Sequence, residues 1–250
     1  MPSNKGYENE SLLAEALHGK KFSELNINLQ AMMTDLFGYP NQDEIIESQL
    51  YEGPYKPDIY IRYKGMTKYI SIKSGRSNKV HGENIKPFVL FLRSLGVSKK
   101  TQKLLVLYQY GDGTLDGTGK KRLSNIETSQ WLEKELKEAN DELNMNREVI
   151  SKVLERTMFQ GIDENAQPAQ YIYFGTPEIG KVLSRKQIES YVNGRGWRFF
   201  NCLHIGPIFL KPHARYIRGP IRDAQRREEV YCYWPNLPDD LDRISKRFNF

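Results

Sequence analysis

Two short alternating segments joined at a glycine constrain the fold of this chain most strongly. Residues 58–64 place their apolar side chains on one face and their polar side chains on the other, and residues 68–74 alternate in the same way. Gly65 lies between the two segments. Alternation with a period of two is typical of β-strands, and a glycine between two such strands is typical of a hairpin turn. The sequence therefore predicts an antiparallel β-hairpin with one buried face.

The segments that flank the hairpin predict an α/β domain with a mixed central sheet. Residues 9–37 carry apolar side chains at helical spacing, whereas residues 44–51 are typical of a strand that pairs with the hairpin. Residues 83–95 predict a second helix. The nearly continuous apolar run at 104–108 is typical of a strand buried on both faces, as in a parallel pairing reached through a helical crossover. The predicted core has the order helix, three-strand meander, helix, strand.

A glycine-rich stretch after this core marks the predicted boundary. We predict a core over residues 1–111 and a C-terminal α+β elaboration over residues 112–250, either separate or packed into the same domain. The elements predicted for the elaboration are two helices within 124–160, a strand at 171–174, a short helix from Ser184 to Gly194, and extended segments at 197–210 and 230–234.

Basic residues are concentrated in two blocks of a chain whose formal net charge is +6. Residues 59–111 contain eleven Lys and Arg but one acid, whereas residues 1–58 contain four basic and ten acidic side chains. Residues 211–227 contain six basic side chains and one acid. Such blocks are typical of surfaces that follow a phosphate backbone, although either block alone could be an ordinary solvated face.

Several classes of protein are disfavoured by composition. Cys202 and Cys232 are too few for a disulfide framework or a four-ligand zinc site, and the four histidines show no metal-ligand spacing. No apolar run reaches the roughly 20 residues that a membrane-spanning helix requires, and the N-terminal residues lack the pattern of a signal peptide. These features predict a protein of the reducing cytoplasm.

Asp58 and Lys73 are the hairpin residues best suited to catalysis. Asp58 opens the first strand and Lys73 ends the second, where Ser71 shares its face at a distance of about 7 Å along the strand. Hydrolysis of a phosphodiester requires charge stabilisation and an activated water, which carboxylate-bound cations and a nearby lysine can provide. The simpler alternatives are a turn-forming Asp58 and a Lys73 that protects an edge strand.

Pro57-Asp58, Lys73 and the predicted order of elements together resemble the PD-(D/E)XK nuclease superfamily, which includes type II restriction endonucleases and Holliday-junction resolvases. The resemblance covers roughly residues 8–110. It implies a restriction-endonuclease-like fold and Mg²⁺-dependent hydrolysis of double-stranded DNA, with Mn²⁺ able to replace Mg²⁺. It also implies a restriction system and a homodimer, because two strands of opposite polarity require two active sites.

Ser71 departs from the family pattern, which normally has a second metal-binding carboxylate at this position. A hydroxyl is a poor substitute because Mg²⁺ favours charged oxygen ligands. In one subgroup with Ser-x-Lys the carboxylate has moved to the following helix, and Glu83 is the acid available there. The resemblance thus implies Asp58 and Glu83 as metal ligands. The alternatives are that Glu83 complements a helix dipole, or that the chain is a catalytically inactive nucleic-acid-binding module.

Glu10 resembles the first-helix glutamate that many family members place near the metals. Glu8 and Glu15 are equally acidic and close in sequence, and an exposed helix charge is the alternative. The predicted catalytic residues are Asp58, Lys73, Glu83, Ser71 and Glu10.

The predicted DNA contacts come from both basic blocks. They are Arg76, Lys79, Lys86, Arg215, Arg218 and Arg222. A second alternative activity, that of a structure-selective nuclease in repair or recombination, would use the same surfaces.

Overall fold

The computed structural model describes residues 5–39, 41, 43–53, 55–74, 78–213, 215 and 220–248, with the side chains of residues 5 and 6 left out. The chain divides into two compact units built from interleaved segments. Unit 1 comprises Met1–Ser77, Met158–Tyr191 and Asn236–Phe250, and unit 2 comprises Asn78–Thr157 and Val192–Pro235. Both units take segments from each side of residue 111, where the sequence places its predicted boundary.

The strands and helices are numbered along the chain. The strands are β1 (Glu47–Leu50), β2 (Ile59–Tyr63), β3 (Met66–Lys73), β4 (Lys79–Asn84), β5 (Tyr171–Gly175), β6 (Gly180–Ser184), β7 (Leu203–Ile205), β8 (Ile208–Pro212) and β9 (Glu229–Tyr233). The helices are α1 (Lys5–Leu17), α2 (Ile27–Phe37), α3 (Ile85–Ser94), α4 (Lys99–Tyr110), α5 (Asn125–Trp131), α6 (Glu133–Met145), α7 (Arg147–Leu154), α8 (Arg185–Asn193), α9 (Pro220–Arg226) and α10 (Leu237–Phe248). A 3₁₀ turn forms at Phe22–Glu24, and α7 continues as a π-helical segment over Glu155–Gln160.

The sheet of unit 1 has the strand order β1-β2-β3-β5-β6. Strands β2 and β3 form the predicted antiparallel hairpin, in which Ile59 pairs with Ile70. Strands β3 and β5 are parallel, with Ser71 opposite Ile172 and Lys73 opposite Phe174, whereas the remaining pairs are antiparallel. The prediction of an α/β fold with a mixed sheet is therefore confirmed.

The strand predicted at 104–108 is wrong, because these residues lie in α4. The side chain of Ser98 caps this helix by accepting a hydrogen bond from the amide of Thr101 at 3.2 Å, and Gly111 ends it in the left-handed conformation. A short apolar run does not distinguish a buried strand from a buried helix, so its boundaries decide. The parallel neighbour of the hairpin is β5 instead.

The core of unit 1 lies between the sheet and helices α1 and α2. Leu13 and Leu17 of α1 and Met33 of α2 are fully buried with Ile59 and Ile70 of the hairpin. Burial of each such side chain stabilises the fold by about 2 kcal/mol. This packing fixes the hairpin against α1, the helix that carries Glu10.

Unit 2 contains an antiparallel sheet with the strand order β4-β9-β8-β7. Helices α3, α4, α6 and α7 contact its strands. Alternate residues of β9 show the two faces, since Val230 and Cys232 are buried whereas Tyr231 and Tyr233 are partly exposed. No helix among the described residues is long and apolar enough to cross a membrane.

Candidate active site

Backbone pairing in the hairpin places Asp58 beside Ser71. Asp58 precedes β2, and its amide donates a hydrogen bond to the carbonyl of Ile70 at 2.9 Å. Ser71 and Lys73 lie on β3 at alternate positions, so both side chains project from the same face. The arrangement predicted from strand alternation is therefore present in the structure.

Asp58, Ser71 and Lys73 form one connected polar cluster. The Asp58 Oδ2 atom accepts hydrogen bonds from the Ser71 hydroxyl at 3.0 Å and from the Ile72 amide at 2.5 Å. Lys73 Nζ donates to Ser71 Oγ at 2.7 Å and lies 3.9 Å from Asp58 Oδ2. The side chains of Asp58 and Lys73 are 21% and 23% exposed, whereas Ser71 is buried. The buried hydroxyl thus links two charged groups that remain open to solvent.

Glu10 of α1 belongs electrostatically to the same cluster. Burial and the negative charge of Asp58 raise the pKa of Glu10, while the positive charge of Lys73 opposes that rise. Glu8 and Glu15, the two alternatives in the sequence, are exposed. Glu10 is therefore the first-helix glutamate that we place with Asp58 and Lys73.

Asn9 positions this part of α1, and sequence reasoning missed it. Its side chain is largely buried and donates a hydrogen bond to the carbonyl of Gly175, at the end of β5, at 2.9 Å. A buried asparagine within an otherwise apolar helix face is a signal of such an anchor, because a buried amide requires a partner. Since β5 pairs with β3, the bond ties Glu10 to the strand that carries Lys73.

The donor set of the cluster fits a hard divalent cation. Mg²⁺ is commonly bound by one or two carboxylates together with water and substrate phosphate oxygens. Asp58 and Glu10 supply two carboxylates, and Asp58 Oδ1 accepts no hydrogen bond from the described residues. Three or more His, Cys, Asp or Glu side chains do not gather into a metal-binding group anywhere in the described ranges. A cation here would therefore depend on water and substrate oxygens for its remaining ligands.

Glu83 lies in unit 2 and has other partners. It is on β4, not at the start of a helix as the sequence predicts, because α3 begins at Ile85. Its two carboxylate oxygens accept hydrogen bonds from Arg156 Nε at 2.9 Å and Nη2 at 2.8 Å. The ring of His81 lies 3.0 Å from the same carboxylate.

Glu83 is ionised and sealed by these contacts. Its side chain has no exposed surface. Burial alone would raise its pKa, but the hydrogen bonds and charges of Arg156 and His81 outweigh burial and lower it. A metal ion would have to displace Arg156 to reach this carboxylate. Arg156 is 73 residues from Glu83 in sequence, so no local pattern indicates the pair.

Arg215, a predicted DNA contact, is an interior residue of unit 2. Its guanidinium donates to the Gln109 carbonyl at 2.7 Å, to Thr128 Oγ1 at 2.7 Å and to the carbonyl of Tyr108. Burial lowers its pKa to about 10. These bonds join the C-terminal end of α4 to α5 and occupy both terminal nitrogens of Arg215, so the residue offers nothing to a phosphate in this conformation.

The other predicted DNA contacts have different surroundings. Lys79, Lys86 and Arg222 are exposed. Lys86 Nζ lies 3.4 Å from a Glu228 carboxylate oxygen. The predictions for Arg76 and Arg218 fall on positions that lie outside the described residues.

No protein-family model matches the chain, and no curated protein matches it. The crystal structure of restriction endonuclease MspI in complex with its cognate DNA is similar over 90% of this chain and 87% of that chain, with a TM-score of 0.45 and 10% sequence identity.

Proposed function

We propose that this chain is a divalent-metal-dependent endodeoxyribonuclease with its active site at Asp58, Ser71, Lys73 and Glu10. The observation that carries the proposal is the contact of Lys73 Nζ with Ser71 Oγ at 2.7 Å, beside the Asp58 carboxylate at 3.9 Å. An ammonium group held beside a solvent-open carboxylate can stabilise negative charge that develops on a phosphate. The family resemblance of the Pro57-Asp58 and Ser71-x-Lys73 segments supports the same chemistry.

Asp58 and Glu10 would hold Mg²⁺, with Mn²⁺ as a substitute. Such an ion polarises a phosphoryl oxygen and lowers the pKa of a bound water. Ser71 orients the lysine, because its oxygen accepts the Lys73 hydrogen bond while its hydroxyl donates to Asp58. Lys73 would then position the attacking water and stabilise charge on the phosphate during bond cleavage.

Glu10 is a stronger candidate than Glu83 for the second metal carboxylate. The pKa of Glu10 responds to the charges of Asp58 and Lys73, whereas the pKa of Glu83 responds to Arg156 and His81. The role of Glu83 as a metal ligand stays a prediction that requires Arg156 to be displaced. On this proposal Glu83 instead stabilises unit 2.

Double-stranded DNA as substrate, a homodimer with two active sites, and a type II restriction role complete the proposal. A two-fold dimer suits a duplex because the two strands run in opposite directions. Gel filtration with light scattering tests the dimer. Discrete fragments from plasmid DNA are expected from sequence recognition, whereas a structure-selective nuclease would spare intact duplex.

Plasmid cleavage in Mg²⁺, Mn²⁺ or EDTA tests the activity directly. We expect cleavage with either metal and none in EDTA. The matched control is Lys68→Ala, since Lys68 lies on the same strand but contacts the ring of Tyr171 instead of Asp58. The proposal would be overturned if Lys73→Ala cleaved DNA as fast as the parent, or if the parent cleaved DNA in EDTA.

An inactive DNA-binding module is the second candidate. Ser71 occupies the position where the PD-(D/E)XK pattern expects a carboxylate, and this departure favours loss of catalysis. Duplex binding without cleavage in either metal, at protein concentrations that saturate the DNA, would select this candidate over the nuclease.

A further inference from the structure

The outer face of the unit 2 sheet, opposite the buried face with Val230 and Cys232, carries aromatic and basic side chains in adjacent rows. The central strand β9 contributes Tyr231 and Tyr233 to this face. Across the sheet, Tyr231 pairs with Gly82 and Lys211, and Tyr233 pairs with Lys79 and Phe209. We call the surface formed by Lys79, Lys211, His213, Tyr231 and Tyr233 the β9 face.

Tyr231 is held between two cationic or titratable groups. Lys79 Nζ lies 3.4 Å from the centroid of the Tyr231 ring. The His213 ring is stacked on Tyr231 with centroids 3.9 Å apart and planes inclined by 20°. One ring face has no room for both groups at these distances, so Lys79 and His213 occupy opposite faces. The stack fixes the Lys79 ammonium at a defined height above the sheet.

Gly82 makes room for this stack. A Cβ atom at position 82 would lie 3.2 Å from Lys79 Nζ and 3.2 Å from the ring of Tyr231. Such contacts are tighter than nine in ten real Cβ contacts. The absence of a side chain on β4 therefore lets the tyrosine ring and the lysine lie across the strand.

The β9 face carries the positive charge of Lys79 and Lys211. Within the described part of the chain, neither Lys79 nor Lys211 forms an ion pair, and Lys211 Nζ lies 5.4 Å from the Tyr233 ring centroid. Glu229 lies on the same face, but its carboxylate contacts His213 Nδ1 at 2.5 Å and Arg226 Nη1 at 3.1 Å. The two lysines are thus left to attract an anion.

A cleft of 380 Å³ adjoins the Lys211 side of the β9 face. Its lining includes Lys211 and Phe209 together with the amide side chains of Asn125, Gln130 and Asn201. The Asn125 Oδ1 atom is buried and has no hydrogen-bond partner among the residues that the structure describes. Amide groups form paired hydrogen bonds with base edges, whereas an acidic peptide would be bound through cations, of which the lining carries one, Lys211.

We infer that the β9 face binds duplex DNA, with Lys79 and Lys211 on phosphates and the neighbouring cleft beside base edges. The inference rests on the proposed function for its substrate, but it concerns binding alone. It replaces Arg215 by Lys211 as the contact supplied by the second basic block. The aromatic rings serve to hold the cations, since both faces of Tyr231 are already occupied.

The test is the affinity of the full chain for a fluorescein-labelled DNA duplex of about 20 base pairs, measured by anisotropy in EDTA at several salt concentrations. Lys79→Ala/Lys211→Ala should weaken binding at least about tenfold and reduce the log–log salt slope by about 2. The matched control is Lys134→Ala/Lys137→Ala, which removes the same charge from exposed positions of α6 in the same unit. This control should bind within about twofold of the parent, because it loses no phosphate contact.

Each outcome has a defined meaning. The inference is overturned if the double variant binds as tightly as the parent, if the control loses as much affinity, or if polyglutamate competes as well as DNA per charge. A parent that binds DNA through the β9 face but never cleaves it in Mg²⁺ would end the proposed nuclease activity and leave this inference intact. Unchanged binding and cleavage in Lys79→Ala/Lys211→Ala would end the inference alone.

Discussion

The two units each contain a carboxylate paired with a cation, and the two pairs are built in opposite ways. In unit 1, Lys73 approaches Asp58 at 3.9 Å, and about a fifth of each side chain is exposed. In unit 2, Arg156 grips Glu83 with two hydrogen bonds, and the carboxylate has no exposed surface. A sealed bidentate pair stabilises structure only while it is complete, whereas an open, loosely held pair can bind a ligand.

The pKa values of Glu83 in unit 2 and Glu10 in unit 1 are shifted in opposite directions. The pKa of Glu83 is lowered because the donors Arg156 and His81 outweigh burial. The pKa of Glu10 is raised because burial and the charge of Asp58 outweigh the charge of Lys73. An acid held against its preferred charge state destabilises the fold at neutral pH, and a bound cation would relieve that cost.

The largest expected effect comes from breaking the buried Glu83–Arg156 pair. Glu83→Ala should lower the free energy of unfolding by about 3–5 kcal/mol, because it leaves the Arg156 guanidinium buried without a partner. Urea denaturation followed by circular dichroism measures this loss. Replacing both residues, as Glu83→Leu/Arg156→Met, should recover most of it.

Glu83→Ala also distinguishes the two roles considered for Glu83, namely metal ligand and structural partner of Arg156. A stable Glu83→Ala protein that has lost Mg²⁺-dependent cleavage but still binds DNA would make Glu83 the metal ligand that the sequence predicts. It would also reverse the contrast drawn between the two pairs.

Substitutions in the Asp58–Lys73 pair should lower the rate of cleavage and leave the melting temperature unchanged. Lys73→Ala and Asp58→Ala should each reduce cleavage by at least about 10²-fold, a usual cost of losing one charge-stabilising group. Single-turnover plasmid cleavage measures the rate, and the melting temperature checks folding. A well-folded variant with nearly parental activity would remove the hairpin from the active site.

Glu10→Gln should act through the metal. We expect at least about a tenfold rise in the Mg²⁺ concentration for half-maximal cleavage, within the range found when a supporting group of a metal site is removed. A Mg²⁺ titration of the cleavage rate provides the measurement. Glu8→Gln is the matched control, since Glu8 is exposed on the same helix. Equal effects of the two variants would reduce Glu10 to general helix charge.

The smallest expected effect is a pH-dependent gain in stability for Glu10→Gln without metal. The folded pKa of Glu10 is raised above the ordinary 4.5, so its protonated form favours folding and stability is lost as pH rises through the folded value. Glutamine mimics the protonated form. The variant should therefore melt at a higher temperature than the parent at alkaline pH. The difference should vanish below pH 4.5.

Glu83 variants should show the reverse dependence. The folded pKa of Glu83 is lowered, so its stabilisation is present above the ordinary value of 4.5 and is lost as pH falls through the folded value. Melting temperatures of the parent and of Glu83→Gln should therefore converge towards acid pH. Parallel curves in both series would contradict the assigned directions.

Local pattern was sufficient to predict part of this molecule. The hairpin over 58–74 follows from alternation around Gly65, and the neighbourhood of Asp58, Ser71 and Lys73 follows from the hairpin. In contrast, the apolar run at 104–108 fits both helix and strand, and only its caps distinguish them. Its misassignment also hid the pairing of the hairpin with β5, a strand that the sequence predicts at 171–174 without a partner.

The partners of charged residues were the least predictable feature. Glu83 was singled out as an isolated acid among basic residues, but Arg156 satisfies it from 73 residues away. Arg215 lies in a basic block, yet its guanidinium donates hydrogen bonds to the carbonyls of residues 108 and 109, more than 100 residues earlier in the sequence. Charge counts along a chain show where charged side chains are concentrated, but the fold determines which of them are exposed to solvent.

The parallel pairing of β3 with β5 has a consequence for the order of assembly. The Gln170 amide donates to the Tyr69 carbonyl at 2.8 Å across a sequence separation of 101 residues. Closing a loop of that length costs about 2 kcal/mol more than closing one a tenth as long. During synthesis, the strand that carries Ser71 and Lys73 emerges long before its parallel neighbour, and Gly175, the anchor for Asn9, follows later still. The hydrogen bond that ties Asn9 of α1 to the sheet can thus form only after β5 has left the ribosome.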